Sequence, residues 1–346
     1  MKAINFPGDE KAHDKIIEWW YYNGHLKGDD GKNYSFMDCL FKADSRRVRI
    51  PFIKVPLKDI YFSHSILSDV TSQKFYPVVD YISLVSRQSF TRPLLFVEYV
   101  NTDVINGFIV NLIKENPLFE YRLKTASFDL KLKSKKTPLL LGGNGFLNLH
   151  GRKTYYYSLT DLAVEGEIYP NGKIVKVKGK AWMDHQWADA PYKKDRWTWF
   201  SLQLDNHTEI ICFEYGQTKR NCVASLCYSD GRQESFTKLK ISPLEGKWKS
   251  AKTKAEYELG WQIEIPERGI LLKTEPLIKS QEMIFGTINY WEGPIKVSGK
   301  IGQRRVKGLG FMELVGRPSR YGSIKMVENM VSGGFHQGMK KVFGKK

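Results

Sequence analysis

This sequence is poor in several of the features that would make its chemistry easy to name. Its four cysteines, Cys39, Cys212, Cys222 and Cys227, form no CxxC pair and no zinc spacing, so reduced, packed thiols are expected. No run approaches the ~20 apolar residues of a membrane span. Residues 1–10 lack the apolar stretch of a secretory signal, which predicts a cytoplasmic chain. Glycine-rich phosphate loops, dinucleotide fingerprints, nucleophile elbows and paired metal-ligand histidines are all missing, so the expectation is chemistry with no metal and no organic cofactor. Acids are outnumbered as well, 37 against 54 Lys and Arg, and the net charge of +17 calls for an anionic partner or surface. Nucleic acid is not the expected partner, because the aromatics, 13% of residues, lie in core-like strands away from the lysines.

What the chain does have is repetition. Val177-Lys178-Gly179-Lys180-Ala181-Trp182-Met183-Asp184 is echoed 129 residues later by Val306-Lys307-Gly308-Leu309-Gly310-Phe311-Met312-Glu313. Trp19-Trp20-Tyr21-Tyr22, closing on Leu26, is echoed 178 residues later by Trp197-Thr198-Trp199-Phe200, closing on Leu204. A third echo, offset by 127 residues, sets Val164-Glu165-Gly166-Glu167-Ile168 against Trp291-Glu292-Gly293-Pro294-Ile295. Order is kept, so one duplicated module with about 49 extra residues in its first copy is the simple explanation. Aromatic and β-branched runs alternate with period two between turn clusters such as Gly28-Asp29-Asp30-Gly31 and Ser229-Asp230-Gly231, which predicts meanders of about eight or more antiparallel strands curled into barrels. The expected domains are 1–190 and 191–318, followed by a tail over 319–346. Within the first, 76–116 is expected to be a helical insertion, because Val104, Ile105, Phe108, Ile109, Leu112 and Ile113 recur at helical spacing. In the tail, Phe335, Met339, Val342 and Phe343 alternate with lysines. Residues 335–346 therefore read either as a solvated C-terminal helix or as a basic amphipathic helix on the anionic inner face of a membrane.

Two clusters concentrate reactive groups. In Trp182-Met183-Asp184-His185-Gln186-Trp187, strand alternation places His185 and Trp187 on one face and Asp184 on the other. In Glu18-Trp19-Trp20-Tyr21-Tyr22-Asn23-Gly24-His25-Leu26, His25 shares the parity of Trp19 and Tyr21, and Glu18 that of Trp20 and Tyr22. Such strips line an apolar channel or simply fill a core. His64, among small polar residues, and Glu214, in an aromatic strand, are weaker candidates.

Together with Phe62-Ser63-His64, Tyr156-Tyr157-Ser158-Leu159-Thr160 and Tyr290-Trp291-Glu292-Gly293, these segments resemble the AttH-like family, a group that also holds carotenoid 1,2-hydratase (hydroxyneurosporene synthase). The resemblance spans nearly the whole chain and implies an all-β protein of two tandem lipocalin-like β-barrels. It places His185 and Trp187 at a catalytic His-x-Trp pair and Glu214 at the acid of a second pair, whose tyrosine this chain lacks. The expected function is to bind a long hydrophobic ligand, isoprenoid or carotenoid-like, and to hydrate or isomerise its double bond by acid catalysis. Asp184 or Glu214 would be the acid, His185 would handle water, and Trp187 would steady the cation. Trp19, Trp20, Tyr21, Tyr22, His25, His64 and Trp199 are the candidate ligand-lining residues. A lipid carrier without catalysis, or a cyclase or pericyclase that shapes its substrate, would use the same rings.

Overall fold

The computed structural model describes residues 3–47, 57–80, 83–100, 107–111, 119–149, 151–190, 196–216, 220–285 and 288–317. Among them are β-strands and four 3-10 turns, with no α-helix, and no helix long and apolar enough to cross a membrane. They group into two compact units, the described residues of 1–138 with those of 152–190, and those of 139–151 with those of 196–317.

The first unit is built from β1 (Ile17–Gly28), β2 (Asn33–Asp44), β3 (Asp59–Asp69), β4 (Lys74–Asp80), β5 (Leu84–Ser89), β6 (Phe96–Val100), β7 (Gly107–Asn111), β8 (Glu120–Lys124) and β9 (Phe128–Ser134). The short β10 (Leu139–Leu140) and β11 (Phe146–Leu149) group with the second unit, and β12 (Arg152–Ile168) and β13 (Val175–Ala188) complete the first. Its antiparallel order is β4-β3-β2-β1-β13-β12-β9-β8-β7-β6-β5. The two end strands, β4 and β5, are consecutive in the chain and only three residues apart. Three residues span roughly 10 Å at most, so the sheet must roll until its ends meet. Ser83 N–H donates to Tyr61 O (2.8 Å) and the Tyr61 hydroxyl to Gln88 Oε1 (3.0 Å), which seats the start of β5 against β3 and closes the barrel.

The second unit repeats the plan. Strands β14 (Trp197–Leu204), β15 (Glu209–Tyr215), β16 (Asn221–Cys227), β17 (Gln233–Phe236) and β18 (Lys240–Pro243) are followed by Trp261–Ile265, Ile270–Pro276, Ile288–Ile301 and Arg304–Val315. β14 lies between β15 and Arg304–Val315, just as β1 lies between β2 and β13. Again the end strands, β17 and β18, are consecutive and three residues apart.

Register confirms two of the three echoes. His25 pairs with Lys180 beside Gly179, and Gln203 pairs with Leu309 beside Gly308, at the expected offsets. Both glycines are required: a Cβ would sit 2.0 Å from His25 O at Gly179 and 2.1 Å from Gln203 O at Gly308. The third echo is out of register. Val164 faces Gly179 and Val297 faces Gly308, so Val164 answers to Val297 and not to Trp291.

The helical insertion is not found among the described residues. Its described parts are the strands β4 to β7, and Phe108 and Ile109, assigned above to a helix face, pair with Lys124 and Leu123 of β8. A short apolar run fits either period. Here neighbours on both sides, β6 and β8, take its backbone hydrogen bonds and make it a strand. Val104, Ile105, Leu112 and Ile113, and the tail over 319–346, lie outside the described residues.

Candidate active site

The two barrels differ inside. The second is filled by an apolar core that includes Phe200, Leu202, Ile263, Leu272, Trp291 and Leu314, with the buried Glu282 carboxylate held by Ser250, Thr253 and the Tyr257 hydroxyl. The first carries ionisable groups on its inward face, and strand pairing puts them there. Cα partners in an antiparallel ladder share a face. Trp20 is opposite His185, Glu18 opposite Trp187, Tyr157 opposite His185, and Lys42 opposite Glu18. The register-equivalent residues of the second barrel are Arg196 for Glu18, Thr198 for Trp20 and Leu314 for His185.

Glu18 is the centre of the group. Its Oε1 accepts from His185 Nε2 (2.8 Å) and His13 Nδ1 (2.7 Å), and its Oε2 from the backbone N–H of His13 (2.8 Å). The Lys42 ammonium lies 3.9 Å from Oε2 and donates to His13 O (2.8 Å). Burial pushes the Glu18 carboxyl up, but the hydrogen bonds from His13 and His185 outweigh it and hold the pKa below its usual value. Glu18 is therefore an ionised, acceptor-only carboxylate, which requires His185 to carry its proton on Nε2. That leaves Nδ1 as an acceptor, and the Tyr157 hydroxyl donates to it (3.2 Å). Burial drives the His185 pKa down to about 4 against the opposing pull of Glu18, so the imidazole is neutral at pH 7. The result is a phenol–imidazole–carboxylate chain, Tyr157–His185–Glu18.

Rings surround this chain. Trp20 stacks on His185 (5.0 Å between centroids, 25°), and the His13 ring stacks on Trp187 (3.9 Å, 7°), which stacks in turn on Tyr155 (5.5 Å, 12°). The residues before β1 bring in more than His13. Phe6 packs edge-on against Tyr157 (4.8 Å), Glu10 O accepts from Trp20 Nε1 (3.3 Å), and the Glu10 carboxylate accepts from the Tyr121 hydroxyl. Tyr22 meets Tyr121 edge-on at 5.4 Å.

Asp184 does not join His185. It faces the other side of β13 and accepts from the Tyr156 hydroxyl (2.5 Å), Ser158 Oγ (2.5 Å) and Trp182 Nε1 (2.6 Å). Burial raises it to about 6 against those three donors, and its oxygens are taken up tying β12 to β13. Trp19, Tyr21 and His25 share the parity of Asp184, while Trp20 and Tyr22 share that of His185. His64 pairs with Cys39 on that same outward face, where burial lowers it to about 3 and Phe41 lies edge-on at 5.1 Å. Glu214 and Trp199 belong to the second unit, where Glu214 pairs with Arg220 (3.0 Å) and Trp199 is buried.

Sequence reasoning named Glu18 only for its parity and passed over His13, Lys42, Tyr157 as a reacting group, and Asp38. Asp38 had one visible signal, an acid inside the apolar run Phe36-Met37-Asp38-Cys39-Leu40. His13, Glu18 and His185 place three ligand atoms within 4.8 Å of one another, a two-histidine, one-carboxylate donor set. The same atoms are joined by hydrogen bonds, so a metal would have to displace the protons that join them.

Comparison with known proteins agrees with this architecture. Kievitone hydratase from Fusarium solani subsp. phaseoli is 21% identical over 205 residues, 56% of this chain and 57% of that protein. Dehydratase asqC from Emericella nidulans is 22% identical over 206 residues, 55% of this chain and 58% of that protein. The chain thus spans under two thirds of the length of these curated relatives. A crystal structure described as an AttH, from Nitrosomonas europaea, superposes with a TM-score of 0.74 at 26% identity, covering 91% of this chain and 97% of that one. The AttH-like family model matches residues 1–317, and the chain belongs to the AttH-like family.

Proposed function

We propose that the first barrel adds water to, or removes it from, an unsaturated hydrophobic molecule, using Tyr157, His185 and Glu18 to move the proton. The observation that carries this is the buried Tyr157–His185–Glu18 chain; at the register-equivalent positions of the second barrel, Leu314 stands for His185 and Arg196 for Glu18. The relatives that are called a hydratase and a dehydratase support the same reaction class. The long isoprenoid expected from the resemblance is one member of this substrate class.

The Tyr157 hydroxyl passes its proton to Nδ1 of the neutral His185 as it takes one from the substrate or from water. The imidazolium so formed is stabilised by the Glu18 carboxylate at Nε2, a charge-assisted bond of roughly 1.5–3 kcal/mol. The Trp20 face adds roughly 0.5–2 kcal/mol of cation–π attraction. Return of the proton to the leaving hydroxyl, or to carbon in the opposite direction, resets the chain. The aromatic walls exclude bulk water and supply apolar area worth about 25 cal/mol per Å² buried.

The test is turnover of a mixed lipid and phenolic extract followed by mass spectrometry. Products differing from substrate by one water should form with the parent protein and be lost in His185→Ala and Tyr157→Phe. Equal turnover by these variants would overturn the proposal.

A further inference from the structure

One step along the inward face from the proton chain lies a second polar group that the mechanism above does not use. Tyr22 on β1, Asp38 on β2 and Ser65 on β3 are consecutive cross-strand partners, so their side chains share one face of the barrel. That face is the one bearing Trp20 and His185. Asp38 is 1% exposed, Tyr22 0% and Ser65 3%, yet the Tyr22 hydroxyl, both Asp38 carboxyl oxygens and Ser65 Oγ have no hydrogen-bond partner among the described residues. Native interiors satisfy the large majority of buried polar atoms, and four orphans on adjacent strands are a standing demand for a ligand group or ordered water. Among the described residues no lysine, arginine or histidine is paired with Asp38, and Ser65 approaches it without hydrogen-bond geometry.

We infer that Asp38, in its protonated form, and the Tyr22 hydroxyl are the oxyanion-binding donors of the first barrel, and that the substrate is a carbonyl compound whose reacting carbon is conjugated to that carbonyl. This deepens the proposed water addition and elimination and rests on it. A carboxylic acid and a phenol in an apolar site are a suitable pair for a developing enolate: both donate, and neither adds a charge to the ground state. Burial supplies the protonated form, since it pushes Asp38 up to about 8.

The spacing is also suitable. Asp38 lies three strands across from Tyr157 and two residues along the ladder. Those offsets separate the backbones by roughly 16 Å, a gap that the two inward side chains and a carbonyl group between them fill. A substrate reaches both groups if its carbonyl oxygen sits at Asp38 and Tyr22 and its α-carbon at Tyr157.

For a β-hydroxy ketone the step balances as follows. Tyr157, backed by His185, removes the α-proton, and the C–H electron pair moves into an enolate whose oxygen is held by Asp38 and Tyr22. The enolate re-forms the carbonyl as the β-carbon–oxygen bond breaks, and the departing hydroxide takes the proton back as water. Hydration of the enone is the reverse. No oxidant, reductant or co-reactant enters.

The test uses 2-naphthol, a flat apolar phenol whose oxygen imitates the enolate, and reads its binding and ionisation by fluorescence. The full chain and a variant at an exposed residue of the second barrel, Glu275→Gln, should bind it comparably. Asp38→Ala and Tyr22→Phe should each bind it about tenfold or more weakly, the loss expected for one strong hydrogen bond. Asp38→Asn, which keeps an N–H donor, should recover much of the difference. Circular dichroism checks that each variant is folded. If the parent does not bind 2-naphthol, or if Asp38→Ala and Tyr22→Phe bind it as well as the parent, the orphaned atoms hold only water and the inference fails. Such failure leaves the proton chain untouched, because that is tested separately by turnover in His185→Ala and Tyr157→Phe.

Discussion

Replacing Asp38 with asparagine should make the protein more stable, and increasingly so as the pH rises. The unfolded carboxyl titrates at its ordinary value of 3.8, whereas in the folded barrel burial holds it protonated up to about 8. Between those values the folded state binds a proton that the unfolded state has released. Folding stability therefore falls with rising pH by about 1.36 kcal/mol per unit. Against an unfolded chain that is free to ionise, keeping Asp38 neutral costs roughly 2 kcal/mol at pH 5 and roughly 4 kcal/mol at pH 7, levelling off above pH 8. Asparagine has a similar shape and nothing to titrate, so it removes this slope. The unsatisfied amide adds an offset independent of pH. His185, His64 and Asp184 titrate alike in both proteins and cancel in the difference. The assay is urea unfolding of parent and Asp38→Asn at unit steps from pH 4 to 8. A gap that widens with pH supports the reasoning. Parallel curves would mean that Asp38 is ionised in the folded barrel, and the oxyanion assignment would fall with it.

Other expectations follow from the same geometry. Glu18→Gln leaves the His185 Nε2 proton without a charged acceptor and should lower turnover by about 10²-fold or more, with substrate affinity little changed, which steady-state kinetics separates. The pH profile of kcat/KM should be flat between limbs near 4, where His185 takes its proton, and near 8, where Asp38 loses its own. Asp38→Asn should remove the alkaline limb alone. Incubation with a strong chelator should leave turnover unchanged if His13, Glu18 and His185 act as a hydrogen-bonded cluster; loss restored by a divalent ion would make them metal ligands. Gly179→Ala should reduce soluble yield and lower the melting temperature, because the added methyl meets His25 O at 2.0 Å with backbone on both sides.

Much of this could be read from the chain alone because it depends on local periodicity. Alternation along one pleated strand was enough to part His185 and Trp187 from Asp184, and Glu18 and Trp20 from Trp19 and His25. The duplication was legible too, in the segments whose chemistry the pairing itself constrains, such as the glycines at 179 and 308. Where the echo rested on composition, at 164–168, it slipped by six residues, the distance from Trp291 to Val297. Phe108 and Ile109, which helical spacing assigns to a helix face, have a local period that is ambiguous, and only the strands on either side decide it.

The site itself came from tertiary structure. Glu18 and His185 are 167 residues apart, and they meet because β1 and β13 pair in one particular register. His13 arrives from a segment with no period to read and stacks on Trp187. Asp38 is an ordinary carboxyl in the sequence and an extraordinary one in the fold, because the environment that sets its proton comes from β1 and β3 as well as β2. Which face a side chain takes is a property of its own strand. What it meets there depends on how the sheet closes, and closure is a property of all the strands at once.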